Sequence, residues 1–127
     1  MKRYIKSSYD KMQGPRKYVY DICDYLGWNY PTFIDPAAGG YAVKFNNRPS
    51  TYIYKNNLGE GLDKEGYRKL YRMVLDQLME DDREDLERVK EAGKVLGIPI
   101  IRPTVKAVYG YGGLESRIYF VVPRYDG

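Results

Sequence analysis

The chain has 127 residues, 43% of them hydrophobic and 30% charged, with 21 lysines and arginines against 17 acids for a formal net charge of +4. A length of this order makes one domain, taken here as 1–127, and no run approaches the ~18 apolar residues that a membrane span needs. A single cysteine, Cys23, and the absence of histidine exclude an internal disulfide, Cys/His zinc centres, Cys–His nucleophiles and Ser–His–Asp triads.

Residues 1–13 are basic, with neither the apolar stretch nor the cleavage site of a secretory signal. They read as an arm or an edge strand, and a cytoplasmic location is expected. In "GPRKYVYDICDYLG" a proline stands just inside a helix start and a glycine just past its end. Tyr18, Val19, Ile22, Cys23 and Leu26 recur every three or four residues, which predicts a helix over 15–26 with Cys23 as a small core residue.

Short β-type runs follow. "WNYPTFI" is a strand candidate whose Pro31 favours an edge, and "DPAAGG" is the loop after it. "YAVKF" and "STYIYK" alternate around the turn-forming "NNRP" and predict a hairpin.

"LDKEGYRKLYRMVLDQLM" puts Tyr67, Leu70, Tyr71, Val74 and Leu78 on one helical stripe, with Asp63 as the cap and Lys64, Arg68 and Arg72 in a row beside it. "REDLERVKEAGKVLG" carries a second stripe of Leu86, Val89, Gly93 and Leu96 and stops at Gly97. A single helix through both would set Asp82 on the apolar stripe, where an unpaired carboxylate is costly. A break near 81–82 is therefore expected, with Asp82 as the second helix's N-cap and Glu84 and Asp85 in its first turn. "TVKAVYGYGGLESRIYFVVP" closes the chain as another hairpin. The predicted order is α-β-β-β-α-α-β-β, a single α+β domain with an antiparallel sheet and helices packed on it.

Charge is uneven along this order. Residues 1–75 hold 13 Lys/Arg and 7 Asp/Glu, residues 76–97 hold 4 and 8, and residues 98–127 hold 4 and 2. The acid concentrates in "EDDREDLE", residues 80–87. With a break at 81–82, Glu80 and Asp81 would lie at the negative end of the preceding helix, where each acid costs about 0.3–1 kcal/mol. A basic partner would favour them there.

Two binding readings follow, and no catalytic, metal-ligating or cofactor-binding set is found; a small carboxylate- or tyrosine-dependent enzyme rests on no motif. In the first, Glu80, Asp81, Asp82, Glu84, Asp85 and Glu87 face cations of a protein partner, with tyrosines such as Tyr109 and Tyr111 of the glycine-rich turn as anchors. In the second, Lys44, Arg48, Lys55, Lys64, Arg68, Lys69 and Arg72 contact nucleic acid directly. The structural alternative for the basic row is a solvated face with i, i+4 pairs Glu65–Lys69 and Arg72–Asp76.

Each reading has a resemblance behind it. The predicted α-β-β-β-α stretch from 15 to 80 resembles a double-stranded RNA-binding domain, and "GEGLDKEGYRK" is similar to that family's G-x-G-x-S-K-K-x-A-K start of its second helix. Gly59, Gly61, Lys64 and Arg68 match, while Asp63 stands for Ser, Glu65 for a phosphate-binding Lys and Tyr67 for Ala. The α-β-β-β-α-α order with its acidic junction resembles small phage or mobile-element anti-CRISPR proteins, whose carboxylates imitate the DNA acceptors read by a Cas9-type nuclease. That resemblance implies a non-enzymatic inhibitor occupying a nucleic-acid-binding surface.

Overall fold

The computed structural model describes residues 14–31, 33–110 and 113–126. Helix α1 spans Lys17–Leu26 and strand β1 Phe33–Ala37, followed by β2, Gly40–Asn47, and helix α2, Pro49–Asn56. Helix α3 runs Lys64–Leu96, and strands β3, Ile101–Gly110, and β4, Gly113–Pro123, complete the order. The strands form one antiparallel sheet, β1-β2-β4-β3. The mixed α+β class is the expected one, and three of its elements differ from expectation.

Helix α1 begins two residues later than its proline and buries Val19, Tyr20, Ile22 and Cys23. Gly27 ends it at φ 72°, a left-handed conformation that costs glycine nothing, and the Trp28 N–H donates to the Cys23 carbonyl at 2.9 Å. Cys23 is fully buried, and burial, helped by Asp24, pushes its thiol up to about 12. It serves as a core residue, not a nucleophile.

The first strand lies later than "WNYPTFI" suggests. Residues 28–31 are irregular, β1 takes up Asp35 and Pro36 from the expected loop, and the turn is Ala38–Gly39, with Gly39 at φ 79°. Pro36 is tolerated because β1 is the sheet's edge. Gly40 is required at the pairing: a Cβ there would stand 2.0 Å from the Val122 carbonyl oxygen.

The second difference is "STYIYK", which is helical. Pro49 occupies the first turn, Asn57 ends the helix in the left-handed region at φ 54°, and the Leu58 N–H donates to the Ile53 carbonyl at 3.2 Å. Ile53 turns inward, onto Val74 and Leu78, and Pro49 is buried at the helix start, while Tyr54 is 86% exposed. The alternation there matches no buried sheet face, because both neighbours of β2 are already β1 and β4. The α-β-β-β-α order therefore becomes α-β-β-α.

The third difference decides the site. Helix α3 is uninterrupted for 33 residues, about 50 Å at 1.5 Å per residue, with Asp63 accepting the Gly66 N–H at its start and Gly97 ending it. Its stripe of Val74, Leu75, Leu78, Leu86, Val89 and Ala92 passes through Asp82 without a break. Asp82 is 1% exposed, yet Asn47 Nδ2 and Ser116 Oγ each donate to one of its carboxylate oxygens. A carboxylate with donors from β2 and β4 no longer forces the helix to end.

Two apolar clusters lie along α3. Its C-terminal half joins α1 and the sheet residues Val43, Ile118, Phe120 and Val122 in the main core, and its N-terminal half holds α2 through Ile53. Gly93 allows the tightest approach, since a Cβ there would meet Ile100 at 2.6 Å and the Ile98 carbonyl at 2.7 Å.

Candidate functional site

The acidic stretch is mid-helix, not at a junction. Glu80 and Asp81 thus avoid the carbonyl end of any helix, and the dipole cost that made them unusual does not arise. Asp82 is internal and cannot face a partner. Four of the other five carboxylates are held by the helix itself: Arg83 reaches Glu80 at 3.1 Å, Gln77 Nε2 donates to Asp81 at 3.0 Å, Arg88 pairs with Asp85 at 2.6 Å and Lys90 with Glu87 at 3.0 Å. Glu84 is exposed. Tyr109 lies in β3 opposite Leu114, and Tyr111 falls outside the described residues.

The basic candidates separate into four places. Arg48, at the N-cap of α2, is an ion-pair partner, its Nε 3.3 Å from Glu115 Oε1. Lys55 sits in the last turn of α2, where a cation complements the dipole. Lys44 is on β2, its Nζ 4.1 Å from the centroid of the Phe33 ring. Lys64, Arg68, Lys69 and Arg72 come together on the first turns of α3 and are all exposed.

Within this last group the expected Glu65–Lys69 and Arg72–Asp76 pairs do not form. Among the described residues no salt bridge engages any of the four cations. Lys64 stands in the first turn, where the helix dipole repels positive charge, and Lys64, Arg68 and Arg72 repel one another at four-residue spacing. The row Lys64, Arg68, Arg72 advances about 6 Å per step along the axis.

Beside the row runs a second one, Tyr67, Tyr71 and Leu75, forming one wall of an open groove of about 970 Å³ whose other wall is Ala107 and Leu114 of the β3–β4 hairpin. Arg68 and Arg72 line the same groove. On the far side of the cation row, Lys64, Glu65, Arg68, Lys69 and Arg72 enclose a shallower polar depression. Tyr67 is 39% exposed, so the tyrosines read from the sequence as core residues serve a surface as well. Their spacing beside the cation row was the available signal.

A cation row next to an aromatic wall can accept an anionic chain: guanidinium groups bind phosphate oxygens in bidentate fashion, and ring faces take planar groups. No three Cys, Asp or Glu side chains are grouped to hold a metal ion among the described residues, and none of the described helices is long and apolar enough to cross a membrane. Comparison with protein-family models, with curated proteins and with solved structures finds no match to this chain.

Proposed function

We propose that this chain is a non-enzymatic nucleic-acid-binding module that holds phosphates along Lys64, Arg68, Lys69 and Arg72, with Tyr67 and Tyr71 as the apolar side of the same groove. One observation carries the reading: four exposed cations stand within nine residues of one helix without an ion-pair partner among the described residues. Lys64 in the first turn opposes the helix dipole, and Lys64, Arg68 and Arg72 repel one another at four-residue spacing, so a bound anion relieves a cost that the row otherwise carries. The acidic stretch, by contrast, draws on the helix's own cations and amides, and nothing in its geometry favours an inhibitor acting through it.

The test is a titration of labelled RNA and DNA strands with the full chain at several salt concentrations. Three or four phosphate contacts give a log–log slope of affinity on salt of roughly −2 to −3.5. Absence of any binding at low salt, or a slope near zero, overturns the reading.

A further inference from the structure

The face of the sheet turned away from the main core has its own pattern. α1 and the C-terminal half of α3 pack on Val43, Ile118, Phe120 and Val122, so the alternate residues of each strand point the other way. Pairing sets these alternates in rows across the sheet. Phe33 of β1 lies opposite Lys44 of β2, Lys44 opposite Tyr119 of β4, and Tyr119 opposite Thr104 of β3. In the next row Arg117 lies opposite Lys106.

Two rings and three cations thus share one small area. Lys44 Nζ is 4.1 Å from the Phe33 ring centroid, Lys106 Nζ is 5.8 Å from that of Tyr119, and Arg117 Nη1 donates to the Tyr119 hydroxyl at 3.2 Å. Of the acids on this face, Glu115, one row beyond Arg117, is 2% exposed and paired with both Arg117 and Arg48, while Asp35, one row beyond Phe33, is exposed, so the cations outnumber the free acid. Phe33 remains 43% exposed.

We infer that this sheet face is a second binding surface, a stacking platform for the bases of a single-stranded nucleic acid. Its charge is complementary to phosphate, and its rings supply what a phosphate-binding row lacks, a partner for the base itself. The spacing selects the single strand. Phe33 and Tyr119 are two strands apart, about 10 Å, whereas bases within a helix stack ~3.4 Å apart, so bases reaching both rings must be splayed. A duplex keeps its base faces covered and offers none to a flat sheet.

The platform stands on residues separate from the α3 groove, and the experiment keeps the two apart. Fluorescence anisotropy compares oligothymidylate, an abasic strand of the same length and a duplex, each titrated with the full chain at low salt. Oligothymidylate should bind most tightly, and Phe33→Leu and Tyr119→Leu should each weaken it about five-fold or more while leaving the abasic strand unchanged. Phe33→Tyr and Tyr119→Phe, which keep a ring, should retain binding, and unchanged thermal melts confirm the fold of every variant. Arg68→Ala with Arg72→Ala should weaken all three ligands if the groove acts as proposed. Equal affinity for thymidylate and abasic strands, or Leu variants that bind oligothymidylate like the parent, overturns the platform and leaves the groove standing. Sensitivity to the ring variants alone, with the arginine pair silent, overturns the groove instead, and failure of every strand to bind overturns both.

Discussion

Between Lys64 and Arg72, helix α3 carries four cations and one acid with no ion pair among the described residues; between Glu80 and Glu87 it carries six acids and one arginine, and five of those six carboxylates already have a partner. The two segments belong to the same rod, with the same 3.6-residue geometry, so their difference is not one of backbone. It lies in which side chains meet. Glu80, Asp85 and Glu87 each pair with a cation three residues on, and Asp81 accepts from an amide four residues back, whereas Glu65, three residues before Arg68 and four before Lys69, and Asp76, four after Arg72, make no ion pair with those cations. A dense charge run is therefore a weak indicator of a binding surface. Charge that remains unpaired after folding is the better one.

The largest expected effect comes from converting the unpaired half. Arg68→Glu with Arg72→Glu removes two charge-assisted contacts, each about 1.5 kcal/mol or more, and should weaken nucleic-acid binding by roughly 100-fold or beyond. The salt slope should flatten by about 1.4–1.8. Stability should change little, because positions 68 and 72 are exposed and lie beyond the first turn, where the dipole field has fallen off. Anisotropy and thermal melts on one preparation check both expectations, and a variant that binds like its parent would put the anion elsewhere.

Asp82 tests the other half, where the charge is turned inward. Asp82→Ala leaves Asn47 Nδ2 and Ser116 Oγ without their acceptor and should cost about 1–3 kcal/mol in urea unfolding, with Asp82→Asn costing less because its shape and one acceptor remain. The pH trend is distinctive. Burial raises the Asp82 pKa against the opposing pull of its Ser116 and Asn47 hydrogen bonds, and the Asp85 and Asp81 charges add to the rise. A folded pKa above the unfolded one means that the stabilisation is fully present below the ordinary carboxyl range near ~3.9 and is lost as pH rises through the folded value. The parent should therefore lose stability relative to Asp82→Asn as pH is raised from about 4. The reverse trend would mean that the two donors outweigh burial.

Much of the frame is legible from local chemistry. Gly27, Asp63 and Gly97 mark helix ends where the structure has them, and the Val105–Tyr119 stretch pairs as the second hairpin because its alternation and glycine turn agree. What misleads is information held elsewhere in the chain. Asp82 looks untenable on an apolar stripe because its donors are 35 and 34 residues away, at Asn47 and Ser116. "STYIYK" has strand composition, but Pro49 before it and Asn57 after it are helix boundaries, and both sides of β2, its expected hairpin partner, are taken by β1 and β4. In the site, the row Lys64, Arg68, Arg72 follows from its spacing alone. Its freedom from partners does not, since Glu65 and Asp76 stand at pairing distance in sequence, and the groove's second wall arrives from the β3–β4 hairpin.

The smallest effect should come from neutralising the paired acids, Glu80→Gln with Asp81→Asn. Each change weakens one exposed helical contact, worth about 0.2–0.5 kcal/mol, so the unfolding free energy should fall by less than ~1 kcal/mol. Binding offers the sharper sign. Glu80 lies eight residues beyond Arg72, a rise of about 12 Å, which exceeds the screening length of about 8 Å at physiological salt but not the 30 Å at 0.01 M. Removing the two charges should leave affinity for nucleic acid unchanged at physiological salt and tighten it a few-fold at low salt, where their field still reaches the phosphates. A loss of affinity at either salt would place those carboxylates in contact with the ligand and make the acidic half of α3 part of the site.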